Sequence, residues 1–243
     1  MCTVTFIPAG DTIFIAHSRD EKSLRAKAIT PAAYRVNGYT LLFPRDTQAG
    51  GAWIAVNANG AAAVLLNGAF VKHAGGLSYR KSRGLVLLDI VASGDSLLSW
   101  QSIDLENIEP FTVVLWCNGQ LYEGRWDGSR KHTGIPDKLH AHTWSSVTLY
   151  DDDVISRRRQ WFASWRQQCP QPTLDDVLQY HLLAGDGDPC HNLRMNRNNR
   201  MLTVSITGIA LSAGQCRMEY LDLLSNMVYS HQLLFTQHML LHT

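Results

Sequence analysis

The segment MCTVTFIPAGDTIFIAHSRDE, residues 1–21, sets the architecture. Thr3 to Ile7 is β-branched and aromatic, and Thr12 to Ala16 repeats that chemistry after a Pro-Ala-Gly-Asp turn, which predicts a β-hairpin. A polar cluster, His17, Ser18, Arg19, Asp20 and Glu21, follows where the second strand is expected to run out.

Hairpins recur downstream. Tyr39 to Phe43 reads as a strand ended by Pro44. In GGAWIAVNANGAAAVLLNGAF, residues 50–70, Trp53 to Val56 and Ala61 to Leu66 flank an Asn-Gly turn. The second run is apolar throughout rather than alternating, so that strand is expected to be buried on both faces. Pro110 to Trp116 and Gln120 to Trp126 straddle Asn118-Gly119, a second hairpin, and Thr203 to Leu211 with Arg217 to Leu223 makes a late one. His140 to Leu149 reads as a further strand, and Gly185 to Asn199 as a polar loop. Helices are expected over Gly84 to Ala92, extended or followed by Asp95 to Trp100. Another is expected over Ser156 to Gln168, where Trp161, Phe162 and Trp165 recur at helical spacing, and one from Thr173 to Leu183 behind a near capping box. Many strands joined by hairpins, with a few helices, give an α+β fold: a single domain over residues 1–243 with helices on antiparallel sheets.

Composition narrows the function classes. Lys and Arg number 22 against 21 Asp and Glu, so the net charge of +1 argues against a dedicated nucleic-acid binder. No stretch approaches the roughly 18 apolar residues of a membrane span. Pro8, Gly10 and Asp11 interrupt the apolar run that a signal peptide would need. Without an export signal, the five cysteines are expected as free thiols in a cytoplasmic protein.

Cys2 carries the chemistry. Removal of Met1 would give residue 2 both a thiol and an α-amine, with reference pKa values of about 8.5 and about 7.7–8.0. The amine can take the thiol proton, directly or through water, and the thiolate can attack a carbonyl without a histidine. A cysteine at a strand start also packs as a small hydrophobe, so Cys2 alone does not decide the matter. Asn67, at the end of the buried strand, can aim its amide into a site and donate to an oxyanion, or satisfy a strand-end backbone group.

MCTVTF, FIAHSRDE and GGAWIAVNANGAAAVLLNGAF, in that order, resemble the Asn-Arg-Asp-Glu (NRDE) family, also called the transport-and-Golgi-organisation family. The resemblance is strong over residues 1–70 and weaker over 140–165. It implies the four-layer αββα fold of N-terminal-nucleophile hydrolases, distantly similar to the penicillin acylase and bile-salt hydrolase group. By this resemblance Cys2 is the nucleophile. Arg19, Asp20 and Glu21 match three positions of the family tetrad, and Ser18 stands where the family has Asn. Asp20 would hold the α-amine and Arg19 would lower the thiol pKa. Asn67 matches the oxyanion donor, and Ser146, in HTWSSVTL (142–149), stands where the family carries an Asn near the nucleophile. The implied activity is hydrolysis of a small non-peptide amide with no metal or cofactor. The resemblance also allows a non-enzymatic carrier of haem or a lipid-related cargo, with a Cys2 thiolate ligating haem iron. Neither the substrate nor the oligomeric state is named by the sequence.

Other signals are bland. His140, His142, Cys190 and His191 match no zinc spacing and read as surface groups. The basic spots Arg80-Lys81-Arg83, Arg157 to Arg159, and Arg194, Arg197 and Arg200 read as solvated faces, able at most to hold a carboxylate or phosphate. Gly50-Gly51 and Gly75-Gly76 fit no phosphate-loop pattern. Specificity is expected in the loops Phe70 to Arg83 and Gly185 to Asn199.

Overall fold

The computed structural model describes residues 2–73 and 78–236. Met1, Gly75 and Gly76 lie outside the described residues. In chain order the strands are β1 (Cys2–Ala9), β2 (Thr12–Lys22), β3 (Ile29–Val36), β4 (Tyr39–Arg45), β5 (Ile54–Asn57) and β6 (Ala62–Asn67). Helices α1 (Arg83–Val91) and α2 (Ser96–Ser102) follow. Then come β7 (Phe111–Cys117), β8 (Gln120–Trp126), β9 (Lys131–Gly134) and β10 (His142–Ser145). Helices α3 (Asp152–Gln168) and α4 (Leu174–Leu183) precede β11 (Asn196–Arg197), β12 (Met201–Ser212), β13 (Gln215–Asp222) and β14 (Met227–Leu234).

The strands form two antiparallel sheets. The first runs β10-β1-β2-β12-β13-β14, with β11 paired to the start of β12, and the second runs β3 to β9 in sequence order. Side-chain alternation then builds three cores from two sheets. In β6, Ala62, Val64 and Leu66 face the first sheet, where Cys2, Val4, Phe6, Ile15 and Ile209 meet them. Ala63 and Leu65 face the other way, onto Val86, Leu87 and Ile90 of α1. The expectation that this apolar run is covered on both faces therefore holds. On the far face of the first sheet, Ile7, Ala16 and Ile206 pack against Phe162, Val177 and Leu178 of α3 and α4. The order is helix, sheet, sheet, helix, the αββα arrangement expected. No described helix is long and apolar enough to cross a membrane.

Local chemistry explains the element ends. Asn118 and Gly119, with φ of 52° and 67°, give the left-handed turn that the β7–β8 hairpin requires. Thr173 and Asp176 form a reciprocal capping box that starts α4. Three boundaries differ from the sequence reading. β2 continues through Lys22, so His17 to Glu21 lie on the strand and not beyond it. The strand expected over His140 to Leu149 is only four residues long. α3 begins at Asp152, because Asp151 accepts the Val154 N–H as N-cap.

Candidate functional site

β1 and β2 pair so that Cys2 lies directly across from Arg19. Alternation sends Cys2 and Arg19 towards the space between the sheets and sends Ser18 and Asp20 to the opposite, helix-covered face. The ends of the two sheets and the start of α1 enclose a cavity of about 410 Å³. Cys2, Arg19 and Asn67 all line it, together with Trp53, Arg83 and Glu109. Three of the five residues singled out in the sequence thus meet at one cavity, although they come from three strands.

Arg19 is held in place from two sides. Its guanidinium lies 4.2 Å from the Trp53 ring centroid and donates to Asp46 Oδ2 at 2.6 Å. Asp46 also accepts from Arg25 Nε and Nη2, at 2.8 and 2.9 Å, and from the backbone N–H of Gln48 and Ala49. Burial pushes the Asp46 carboxyl up, but the Arg25 and Ala49 hydrogen bonds outweigh it and keep the group below the ordinary carboxylate range.

Burial pushes the Cys2 thiol above its ordinary value, and the Asp20 carboxylate adds to that push, while the Asp20 backbone N–H opposes it. Asp20 is fully buried on the other face of β2. Tyr150 donates its hydroxyl to Asp20 Oδ2 at 2.5 Å, and Thr203 donates to Oδ1 at 2.6 Å. Burial raises the Asp20 pKa, with the Arg158 guanidinium and these two hydroxyls pulling it back. Arg158 is itself buried, 3.7 Å from the Tyr150 ring centroid, and donates to Thr3 Oγ1 and to the His191 and Asn192 carbonyls. Asp20 therefore sits behind the cavity and not in it.

Asn67 closes β6, and among the described residues its side-chain amide takes no hydrogen bond, so the amide remains available to the cavity it lines. Ser146 does not reach the cavity. It lines a neighbouring one of about 280 Å³, donates its hydroxyl to the Asn67 carbonyl at 2.7 Å, and donates its backbone N–H to the Cys2 carbonyl at 2.9 Å. Ser18 also faces away: its Oγ is 2.7 Å from His181 Nδ1. The departure from Asn at that position is thus felt by α4 and not by the cavity.

Sequence reasoning missed Asp46, Tyr150, Thr203 and Glu109, which carry no motif and act through the fold alone, and it read Arg158 as part of a solvated basic face, whereas Arg158 is buried on the helix-covered side of the first sheet. Arg83 carried a signal, since it belonged to a basic spot read as a solvated face. That spot divides: Arg80 turns outward to Asp104, while Lys81 and Arg83 line the cavity. Arg83 forms an ion pair with Glu109 at 3.0 Å and donates to the Pro110 carbonyl. Of the expected specificity loops, the end of Phe70 to Arg83 reaches the cavity, and its residues 74–77 lie outside the described residues.

Comparison with known proteins adds to this geometry. Residues 1–184 match the family model described as Transport and Golgi organisation 2. No match was found among curated proteins. Two solved structures of variants of a conjugated bile acid hydrolase from Clostridium perfringens are similar. One has a TM-score of 0.59 at 10% identity, covering 95% of this chain and 96% of that chain. The other has a TM-score of 0.56 at 11% identity, covering 98% and 100%. The Caenorhabditis elegans ortholog of N-acylethanolamine-hydrolyzing acid amidase gives 0.57 at 12% identity, covering 86% and 92%. At such identities the likeness concerns the fold, which is that of N-terminal-nucleophile hydrolases.

Proposed function

Because the chain belongs to the Transport and Golgi organisation 2 family, we propose that it uses its hydrolase fold to cleave a small non-peptide amide, with Cys2 as nucleophile. The observation that carries this reading is the meeting of Cys2, Arg19 and Asn67 in one cavity. The similar structures are of proteins named as hydrolases of conjugated bile acids and of N-acylethanolamines, which supports an amide as the bond cleaved.

In the proposed reaction, loss of Met1 frees the Cys2 α-amine, and Asp20 holds it from behind the strand. The amine takes the thiol proton and the thiolate attacks the amide carbonyl. Asn67 donates to the oxyanion as charge develops there. The amine passes its proton to the leaving nitrogen, the C–N bond breaks, and water releases the acyl group from sulfur. Ser146 acts as a positioning residue, tying the Cys2 and Asn67 backbones together. Seven of the described residues that line the cavity with Cys2 are charged, which ranks this reading above a haem or lipid carrier.

The test is turnover of an amide panel by tag-free protein. Activity that is lost in Cys2→Ala, with the melting temperature unchanged, supports the reading. Equal activity of Cys2→Ala contradicts it.

A further inference from the structure

The charged groups around Cys2 are not arranged symmetrically. Arg19, Arg25, Lys81 and Arg83 line the cavity against Glu21, Asp46 and Glu109, a lining with one positive charge in excess. The carboxylates are already engaged. Asp46 accepts five hydrogen bonds, and Glu109 is shared by Arg83 and His73, each at 3.0 Å. The guanidinia are not saturated. Of the five N–H donors each carries, Arg19 gives one to Asp46 and Arg83 gives one to the Pro110 carbonyl, beside ion pairs of Arg19 with Glu21 at 3.8 Å and of Arg83 with Glu109 at 3.0 Å.

These two guanidinia border the thiol from different elements. Arg19 is the direct cross-strand partner of Cys2, so their Cβ atoms are about 4.5–5.5 Å apart. Arg83 enters from the start of α1 and lines the same cavity as Cys2. Its position is fixed by backbone contact: a methyl on Gly84 would come within 2.8 Å of the Ala52 carbonyl oxygen.

Resting on the reading of Cys2 as the nucleophile, we propose that the substrate is an amide bearing a carboxylate a few bonds from the scissile carbonyl, and that Arg19 and Arg83 together hold that carboxylate. A planar carboxylate matches the fork of a guanidinium and uses donors that a neutral amide would leave to water. One negative charge balances the lining, whereas a dianionic phosphate would exceed it beside three carboxylates. Arg83 is then the residue that sets specificity, and the Asp46 cluster aims Arg19.

The experiment titrates full-length Cys2→Ala protein with matched pairs, each an N-acylglycine and its N-acylglycinamide, with acetyl, butanoyl and benzoyl groups. The proposal expects at least one acid to bind ten or more times tighter than its carboxamide. It also expects Arg83→Gln to abolish that preference and Arg83→Lys to restore part of it. Equal binding of both members of every pair, or no binding of any acid at millimolar concentration, overturns it. The ligand comparison needs no variant of the arginines, so it stands even where Arg83→Gln fails to fold. Selective acid binding with no hydrolysis by Cys2-containing protein would leave the carboxylate site standing and remove the hydrolase reading. Hydrolysis of carboxamides as fast as acids would do the reverse.

Discussion

Ser146 donates its hydroxyl to the carbonyl of Asn67 at 2.7 Å. Its own backbone N–H goes to the Cys2 carbonyl at 2.9 Å, so one buried serine links the proposed nucleophile to the proposed oxyanion donor. Ser146→Ala is expected to cost about 1 kcal/mol of stability and to lower kcat while leaving KM in place. Asn67→Ala is expected to lower kcat about 100- to 1,000-fold with little change in melting temperature. Steady-state kinetics beside thermal melts checks both.

Tyr150→Phe removes a hydroxyl that keeps buried Asp20 from binding a proton more tightly. Burial raises the folded pKa of Asp20 above its unfolded value, so its contribution to stability is largest in acid and is lost as pH rises through the folded pKa. Without Tyr150 the folded pKa rises further, and the ionised form is the one that loses its donor. The expected cost is about 1.5–3 kcal/mol at neutral pH, and it shrinks as pH falls towards the unfolded Asp value of about 3.9. Urea melts across a pH series from neutral down to about pH 4 test this.

His181 behaves in the opposite sense. Its ring is fully buried between Ser18 and Thr5 on the back of the first sheet, and burial pushes its pKa down to about 3. His17, buried between the sheets, is also held well below its ordinary value by burial. A depressed folded pKa gives stability that is present above about pH 6.5 and is lost as pH falls. His181→Gln keeps a hydrogen-bonding side chain without the titration. Between pH 7 and pH 5 it is expected to lose about 2 kcal/mol less than the unaltered protein. An equal slope in both proteins would contradict the assignment.

Much of this architecture was legible in the sequence, and the exceptions share a cause. The central strands β1, β2, β6, β7 and β12 are covered on both faces and have paired neighbours, so their apolar residues stand out. β3, β9, β11 and β14 went unseen: β3, β9 and β14 are edge strands, and β11 is a two-residue strand, paired only to β12, inside the stretch Gly185 to Asn199 that reads as a polar loop. β3 tolerates a buried Pro31 and from Ala32 onward alternates between half-buried and exposed positions, and β9 is Lys-His-Thr-Gly with hardly any burial. The site divides in the same way. Cys2, Arg19 and Asn67 sit on covered strands with motif spacing, so the sequence pointed to them. Asp46, Arg83 and Glu109 come from loops and a helix start, and only the folding of separate segments brings them to Cys2.

Gly84→Ala probes the cavity wall without touching a charged group. Its methyl would press on the Ala52 carbonyl oxygen, so the start of α1 must shift outward and carry Arg83 with it. The expected cost is about 1–3 kcal/mol, with a rise in KM greater than the fall in kcat. Thermal melts and steady-state kinetics on the same preparation check it, and an unchanged KM would show that Arg83 does not depend on this contact.

The central claim is that Cys2 acts as an N-terminal nucleophile. It is tested most directly by the mass of the N-terminal peptide from protein purified without an N-terminal tag. The account predicts that Met1 is absent and Cys2 begins the chain, leaving its α-amine free to take the thiol proton. Met1 retained on essentially every molecule would leave residue 2 without that amine, and the proposed mechanism would fail.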